Sequence, residues 1–181
     1  MKILITVVIT ILVLFLVGLS VMYSGAVNVS VLKPSSGLSK KILFTTMRRS
    51  VERRAKRIEV PDLKNEATIR IGAEHYIEMC RGCHGAPGIE DSELSQGLDP
   101  RPPHLYWKDE GIYWSAAQQF WIVKNGIMWT GMPAWGVTHS DEKIWSIVAF
   151  LRTLPGMTAD KYNQIYQEDV ICVLMIILFY F

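Results

Sequence analysis

The chain has 181 residues, of which 50% are hydrophobic and 20% charged, and its net charge is +2. This length allows one ordinary domain with appended segments, and the composition excludes a disordered chain. Three cysteines are too few for a disulfide-rich scaffold. The apolar residues are concentrated at the two ends of the chain.

The first predicted element is an apolar run over residues 3–23, and no charged residue follows Lys2 until Lys33. As an α-helix, this run reaches roughly 30 Å, the thickness of the hydrocarbon core of a bilayer. The run is longer than the apolar part of a signal peptide, which favours a retained transmembrane anchor over residues 1–24, although residues 24–26 are a tolerable cleavage site. Either interpretation exports the rest of the chain.

A basic connector, residues 25–64, follows the anchor. Residues 33–57 contain nine lysines or arginines and one acid, whereas residues 58–169 contain nine basic and sixteen acidic residues, for net charges of +8 and −7. The connector is either a solvated, partly helical linker or a contact for anionic lipid head groups, where each basic residue contributes ~1 kcal/mol. Nucleic acid is a poor candidate ligand because the aromatic residues lie elsewhere.

Three helical patterns lie in the acidic part of the chain, over residues 65–79, 115–124 and 140–154. Ser115 and Ser140 are suitable N-caps for the second and third patterns. Glycine and proline cluster in three loops, at residues 82–88, 97–103 and 131–136. No segment alternates strictly between apolar and polar residues, so the sequence predicts an all-α domain of about 110 residues.

Cys80, Cys83 and His84 form a C-x-x-C-H motif. Two thiols at this spacing can each add to a haem vinyl group, and the adjacent histidine can ligate the iron. A redox dithiol, half of a zinc site and a plain disulfide are alternatives for the cysteines. A redox dithiol expects a βαβ setting, and a zinc site needs two further ligands, for which Cys172 is a poor candidate.

A haem in an electron carrier usually needs a sixth ligand some tens of residues downstream. Met132, in a Gly-Met-Pro turn, is the candidate, and Trp129 and Trp135 are placed to cover the haem edge. Met128 is the second candidate, and core packing is the alternative role for either methionine. Three histidines are expected to lie on the surface or to be hydrogen-bonded: His75, His104 and His139.

Five segments occur in the same order in small c-type cytochromes. They are CRGCH at 80–84, GAPG at 85–88, KNG at 124–126, TGMPAW at 130–135 and IWSIVAFL at 144–151. In this combination the chain resembles a membrane-anchored monohaem class I cytochrome c, like the haem-bearing subunits of bacterial respiratory oxidases and dehydrogenases. The resemblance covers residues 65–156 and implies an all-α class I cytochrome c fold around one covalent haem c.

The resemblance also implies roles for the site residues. Cys80 and Cys83 would form the thioethers, with His84 as the proximal iron ligand and Met132 as the distal one. With both axial positions filled, no small-molecule substrate reaches the iron, so the implied function is electron transfer and not catalysis. A fixed haem subunit of a membrane oxidoreductase and a haem sensor or peroxidase with an open axial position are the alternatives.

Two further contacts follow from the resemblance. The helix before the haem motif is expected to cross the last helix, with Gly72 and Tyr76 facing residues 144–151. The second imidazole nitrogen of the proximal histidine is expected to donate to the carbonyl of Pro102 or Pro103.

The implied location is the bacterial inner membrane, with the haem domain on the periplasmic side and redox proteins of a respiratory chain as partners. The positive-inside rule opposes this orientation, because Lys33, Lys40 and Lys41 follow the anchor whereas Lys2 precedes it. The haem motif outweighs the rule here, because covalent haem is attached outside the cytoplasm in the family. The acidic domain suits a partner with a basic docking face.

A C-terminal extension, residues 157–181, ends in an uncharged run over residues 170–181. This run is too short to cross a bilayer. A buried core segment, an interfacial tail and a truncated or frame-shifted end all remain open. Cys172 is expected to pack as a free thiol among apolar residues.

Overall fold

The computed structural model describes residues 1–33, 37–107, 114–165 and 167. In these ranges the secondary structure is helical, without a β-strand, which confirms the all-α prediction. The helices are α1 (Lys2–Tyr23), α2 (Gly37–Ala55), α3 (Glu66–His75), α4 (Arg81–His84), α5 (Glu93–Gln96), α6 (Ala116–Asn125) and α7 (Asp141–Leu151). A π-helical turn, Tyr76–Cys80, joins α3 to α4, and a 3-10 turn, Trp135–Val137, precedes α7. Residues 159–165 are also helical.

The chain divides into two compact units, Met1–Gly37 and Leu38–Phe181. The first unit contains α1, which is long and apolar enough to cross a membrane and has no buried residue. A signal sequence near the N-terminus passes the same test of length and composition. The transmembrane anchor is therefore consistent with the structure and stays a prediction.

The second unit is built on the crossing of α3 and α7. A Cβ atom on Gly72 would lie 1.8 Å from the backbone oxygen of Ser146, so only glycine permits this approach of the two helices. One turn further along the chain, at the start of the π-helical turn, the ring of Tyr76 lies 5.4 Å from that of Phe150. The predicted facing of Gly72 and Tyr76 toward the last helix is confirmed.

Side-chain caps set the starts of the main helices. The Asn65 side chain accepts a hydrogen bond from the backbone at the start of α3, Ser115 forms a capping box with Gln118 at the start of α6, and Ser140 caps α7. Both serine caps are therefore confirmed. The predicted ends of the first and third patterns are wrong: α3 gives way to the π-helical turn after His75, and α7 ends at Leu151, three residues before the predicted end.

One hydrophobic cluster forms the core of the second unit. It combines residues of α3, the π-helical turn, α6 and α7, among which Phe120 stacks on Trp145 at 4.2 Å. Tyr162 is also fully buried in it, and Met157 and Ile165 pack against it. The beginning of the C-terminal extension is therefore part of the core. The predictions for residues 170–181 and Cys172 lie outside the described residues.

Part of the basic connector is structured. Near the C-terminus of α2, Val51 is 1% exposed and Ala55 is 4% exposed. Toward the other end of α2, Lys40 Nζ lies 2.8 Å from Asp99 Oδ1. Residues 37–55 are therefore helical, as the linker interpretation expects, but Val51 and Ala55 are buried and not solvated.

Candidate haem site

The π-helical turn and α4 position the C-x-x-C-H motif. Cys80 ends the turn and belongs to the core cluster, whereas Cys83 in α4 is partly buried. Both residues are free thiols, so no disulfide joins them. Burial, with a smaller effect from Cys83, raises the pKa of Cys80 to about 12. A reactive dithiol needs a lowered pKa, so this environment disfavours the redox interpretation.

His84 is held by the proline-rich segment that follows α5. Its Nδ1 lies 2.9 Å from the backbone oxygen of Pro103, and because a carbonyl only accepts, Nδ1–H is the donor. This confirms the expected proline contact and assigns it to Pro103, not Pro102. Burial lowers the pKa of His84 and outweighs the opposing effect of this hydrogen bond. The imidazole is therefore neutral at neutral pH, and its Nε2 carries the lone pair that a metal would need.

The backbone after His84 is fixed from two sides. Gly85 ends α4 with a positive φ, and its carbonyl accepts a hydrogen bond of 2.7 Å from the buried hydroxyl of Tyr76. The Ser92 hydroxyl donates to the backbone oxygen of Gly82 within the motif. The sequence does not reveal either contact, because each joins side chain to backbone across a loop.

Met132 lies in a loop with its own backbone hydrogen bonds. Its N–H donates to Thr130 Oγ1 at 3.1 Å, and its carbonyl accepts from Ile127 N at 3.2 Å. Gly126 lies beneath this turn at φ +65°, and a Cβ there would be 2.8 Å from the Met132 carbonyl oxygen. The loop therefore fixes the position of Met132 through close backbone packing.

The two candidate methionines differ in burial. Met132 is partly buried against the cluster that contains Cys80, whereas Met128 is 76% exposed. Trp135 also packs against this cluster, but Trp129 is 75% exposed and adopts φ +61°, which is rare for a residue other than glycine. The structure thus favours Met132 over Met128, and Trp135 over Trp129 as a covering side chain.

Two of the remaining histidines make ring contacts near the loop that contains Met132. His75 meets His139 edge to face with ring centroids 5.5 Å apart, and His139 meets Trp135 at the same distance. These contacts join α3 to the 3-10 turn after the Met132 loop.

His104 departs from the expectation for a satisfied histidine. It stacks on Trp107 at 4.2 Å, and its Nε2 lies 3.5 Å from Asp91 Oδ1, but its buried Nδ1 has no hydrogen-bond partner. It lies directly after Pro103 and beside Gly85. In the sequence, the position of His104 directly after the proline segment is the signal that indicates its place near the C-x-x-C-H motif.

The donor chemistry of these residues fits a haem c. Two thiols, a neutral imidazole and a thioether are the set that covalent attachment and two axial bonds require, and of these groups Cys80 lies in the apolar cluster and Met132 packs against it. Zinc gains no support, since no group of three or more His, Cys, Asp or Glu in the described ranges is arranged to hold a metal ion.

Comparison with known proteins agrees with this chemistry. The family model for cytochrome C oxidase, cbb3-type, subunit III, matches residues 67–151. No curated protein matches the chain.

Among solved structures, the chain is similar to the Kuenenia stuttgartiensis reducing HAO-like protein complex Kustc0457/Kustc0458. The identity is 24%, the TM-score is 0.43, and the match covers 55% of this chain and 52% of that chain. The matched part is thus about half the length of either chain. The haem motif, the helix crossing and the family match together identify residues 67–151 as a class I c-type cytochrome domain, with haem as its cofactor.

Proposed function

We propose that this protein is a membrane-tethered electron carrier with one covalent haem c. Cys80 and Cys83 provide the thioether bonds, His84 is the proximal ligand and Met132 the distal ligand. The hydrogen bond between His84 Nδ1 and the Pro103 carbonyl carries this proposal, because it leaves Nε2 for the iron.

A bound haem c supplies a one-electron couple between ferric and ferrous iron. Pro103 fixes the tautomer and ring orientation of His84 and raises its basicity. The thioether of Met132 favours the ferrous state, which raises the reduction potential relative to two histidine ligands. With His84 and Met132 in both axial positions, no small molecule binds the iron, so the protein carries electrons without catalysing a reaction at the haem.

The proposal includes the division of the chain and its location. Residues 1–24 form the anchor, 25–64 the connector, 65–156 the cytochrome domain and 157–181 the extension. The anchor holds the protein in the inner membrane, with the haem domain in the periplasm among redox partners of a respiratory chain. The length and apolar composition of α1 support the anchor, and the haem motif supports the exported side.

A fixed haem subunit of a membrane oxidoreductase is the second candidate, and the description of the matching family favours it. Solubilisation from the native membrane in a mild detergent separates the two candidates. A tethered carrier elutes alone, whereas a fixed subunit elutes with the other chains of its complex.

The first test is the spectrum of the full chain co-expressed with a cytochrome c maturation system. We expect covalent haem, a sharp α-band when reduced and a weak far-red band when oxidised, which reports methionine bound to ferric iron. The Met132→Ala variant should lose the far-red band, and its ferrous form should bind carbon monoxide.

Met128→Ala is the matched control, because Met128 is 76% exposed. It should keep the far-red band and exclude carbon monoxide. Loss of the band in this control, or no carbon monoxide binding by Met132→Ala, contradicts Met132 as ligand. Absence of covalent haem contradicts the whole proposal.

A further inference from the structure

Helix α2 carries an exposed surface outside the candidate haem site. At 100° per residue, residues 38, 42, 45, 49 and 53 follow one side of its axis, away from the buried Val51 and Ala55, and residue 56 comes directly after the last residue of the helix. We call these six residues the outward stripe. All six residues are exposed.

The outward stripe changes character along the helix. Near its start, Leu38 is 68% exposed and Ile42 is 57% exposed. Near its end, Arg49, Arg53 and Lys56 line a shallow depression together with Glu52. Basic clusters that follow a membrane anchor in sequence are attracted to anionic head groups, and exposed apolar side chains near them gain by entering the interface.

The acid in this depression does not neutralise it. Glu52 Oε1 accepts from Arg48 Nε at 2.9 Å, and Glu52 Oε2 accepts from Arg49 Nη1 at 3.2 Å, so its single charge is shared by two guanidinium groups. Among the described residues, Arg53 and Lys56 have no ion-pair partner. The depression therefore keeps a surplus of positive charge for an external anion.

The chain itself indicates the source of that anion. Residues 24–36 are all that separates α2 in sequence from the apolar helix α1, so a membrane-anchored α1 brings α2 to a lipid surface. Anionic head groups complement Arg49, Arg53 and Lys56, and the interfacial region accepts Leu38 and Ile42. An acidic protein would complement the basic residues but gives no role to the neighbouring apolar segment.

We propose that the outward stripe of α2 binds the surface of an anionic membrane, with Leu38 and Ile42 in the interface and Arg49, Arg53 and Lys56 on lipid phosphates. The inference rests on the membrane attachment proposed for α1. Because α2 belongs to the same compact unit as the cytochrome domain and is paired with it through Lys40 and Asp99, this contact restricts the orientation of the domain on the membrane.

The test measures the accessibility of the outward stripe in the full holoprotein. Thr45→Cys is introduced in a Cys172→Ser background, and its reaction with a membrane-impermeant maleimide is timed in vesicles of phosphatidylcholine alone or mixed with phosphatidylglycerol. We expect a severalfold slower reaction in the anionic vesicles and recovery of the rate at high salt, which screens head-group charges. Asn163→Cys, exposed outside α2, should react equally in both.

Two charge variants then test the basic residues. Arg49→Gln/Arg53→Gln/Lys56→Gln should abolish the difference between the vesicles, whereas Lys64→Gln/Arg70→Gln/Lys161→Gln, which removes three exposed charges elsewhere, should keep it. Equal maleimide reaction rates of Thr45→Cys in both vesicles overturn the proposal and indicate an acidic protein as the partner of the outward stripe. Loss of the difference in the control triple variant overturns the role of Arg49, Arg53 and Lys56.

Carbonate-resistant association with neutral vesicles reports the insertion of α1, and the reduced α-band reports the haem site. These two measurements therefore distinguish a failure of α1 insertion or of haem binding from a failure of the outward stripe to bind the membrane. A chain that is extracted by carbonate overturns the membrane attachment and, with it, this inference.

Discussion

The two sides of the candidate haem site are held in different ways. On the proximal side, His84 follows the π-helical turn, its Nδ1 donates to the carbonyl of Pro103 19 residues further on, and the buried Tyr76 hydroxyl holds the carbonyl of the adjacent Gly85. On the distal side, Met132 lies in an exposed loop whose hydrogen bonds join residues at most five positions apart. The position of His84, the proposed proximal ligand, thus depends on helix packing, and that of Met132, the proposed distal ligand, depends on local backbone geometry.

Gly72→Ala should have the largest effect, because it acts on the helix crossing that supports the proximal side. The added Cβ would lie 1.8 Å from the backbone oxygen of Ser146, and neither atom can move away by a side-chain rotation. We expect a loss of about 3 kcal/mol or more in the free energy of unfolding, at the upper end of overpacking costs. Urea denaturation and the yield of covalent haem measure this effect.

Gly37→Ala is the matched control, since nothing lies within 4 Å of a Cβ at the start of α2. It should change the free energy of unfolding by less than about 0.5 kcal/mol. Similar stability of the two variants would contradict the dependence of the proximal side on the crossing.

Gly126→Ala should act on the distal side alone. At φ +65° and ψ −174°, position 126 adopts a conformation used almost only by glycine, and its Cβ would meet the Met132 carbonyl at 2.8 Å. We expect a cost of about 2 kcal/mol in the free energy of unfolding. The far-red band should weaken while covalent haem is retained, because Cys80, Cys83 and His84 are untouched.

Gly97→Ala serves as its control, because the nearest atom to a Cβ there is 3.5 Å away, an ordinary contact. It should leave the far-red band unchanged. A Gly126→Ala variant with an intact band would show that the loop tolerates the displacement, and the distinction between the two sides would fail.

The same distinction explains what the sequence could predict. The haem motif and the two serine caps are local signals, and the structure agrees with both caps. The crossing at Gly72 follows from the family resemblance and the small size of glycine, and the structure agrees with it. Segment 97–103 was recognised as a loop, and its proline contact with His84 followed from the family resemblance rather than from spacing.

The sequence predicts a partly helical connector but not the bounds of α2, and it does not predict the π-helical turn, for physical reasons. In α2 the apolar residues Ile42 and Phe44 are exposed and Val51 and Ala55 are the buried ones, so no continuous apolar stripe marks the helix. The turn over Tyr76–Cys80 continues the helical pattern of α3, and nothing in that pattern distinguishes a π-helical from an α-helical turn. The bond of Tyr76 to Gly85 closes a loop whose shape is set by tertiary packing.

Tyr76→Phe sharpens the comparison on the proximal side. It removes the hydroxyl that donates to the Gly85 carbonyl at 2.7 Å and leaves that buried acceptor without this donor. We expect a loss of about 1 kcal/mol in the free energy of unfolding, with an unchanged far-red band. Tyr23→Phe, at an 82% exposed position in α1, should have no effect. A change in the far-red band of Tyr76→Phe would indicate that the two sides are coupled.

His75 gives the smallest expected effect, and it tests a contact between the two sides through His139 and Trp135. Burial lowers the pKa of His75, and His139 and Lys143 lower it further, against the opposing effects of Glu78 and Glu74. The unfolded state therefore binds more protons than the folded state as pH falls through about 6.5, so stability decreases with acidification.

In the His75→Gln variant this proton uptake is absent, so the free energy of unfolding should depend less steeply on pH between about 7 and 5. Urea denaturation at several pH values measures the slope. An unchanged slope would mean that His75 has the same pKa in the folded and unfolded states, and that its contact with His139 does not lower that pKa.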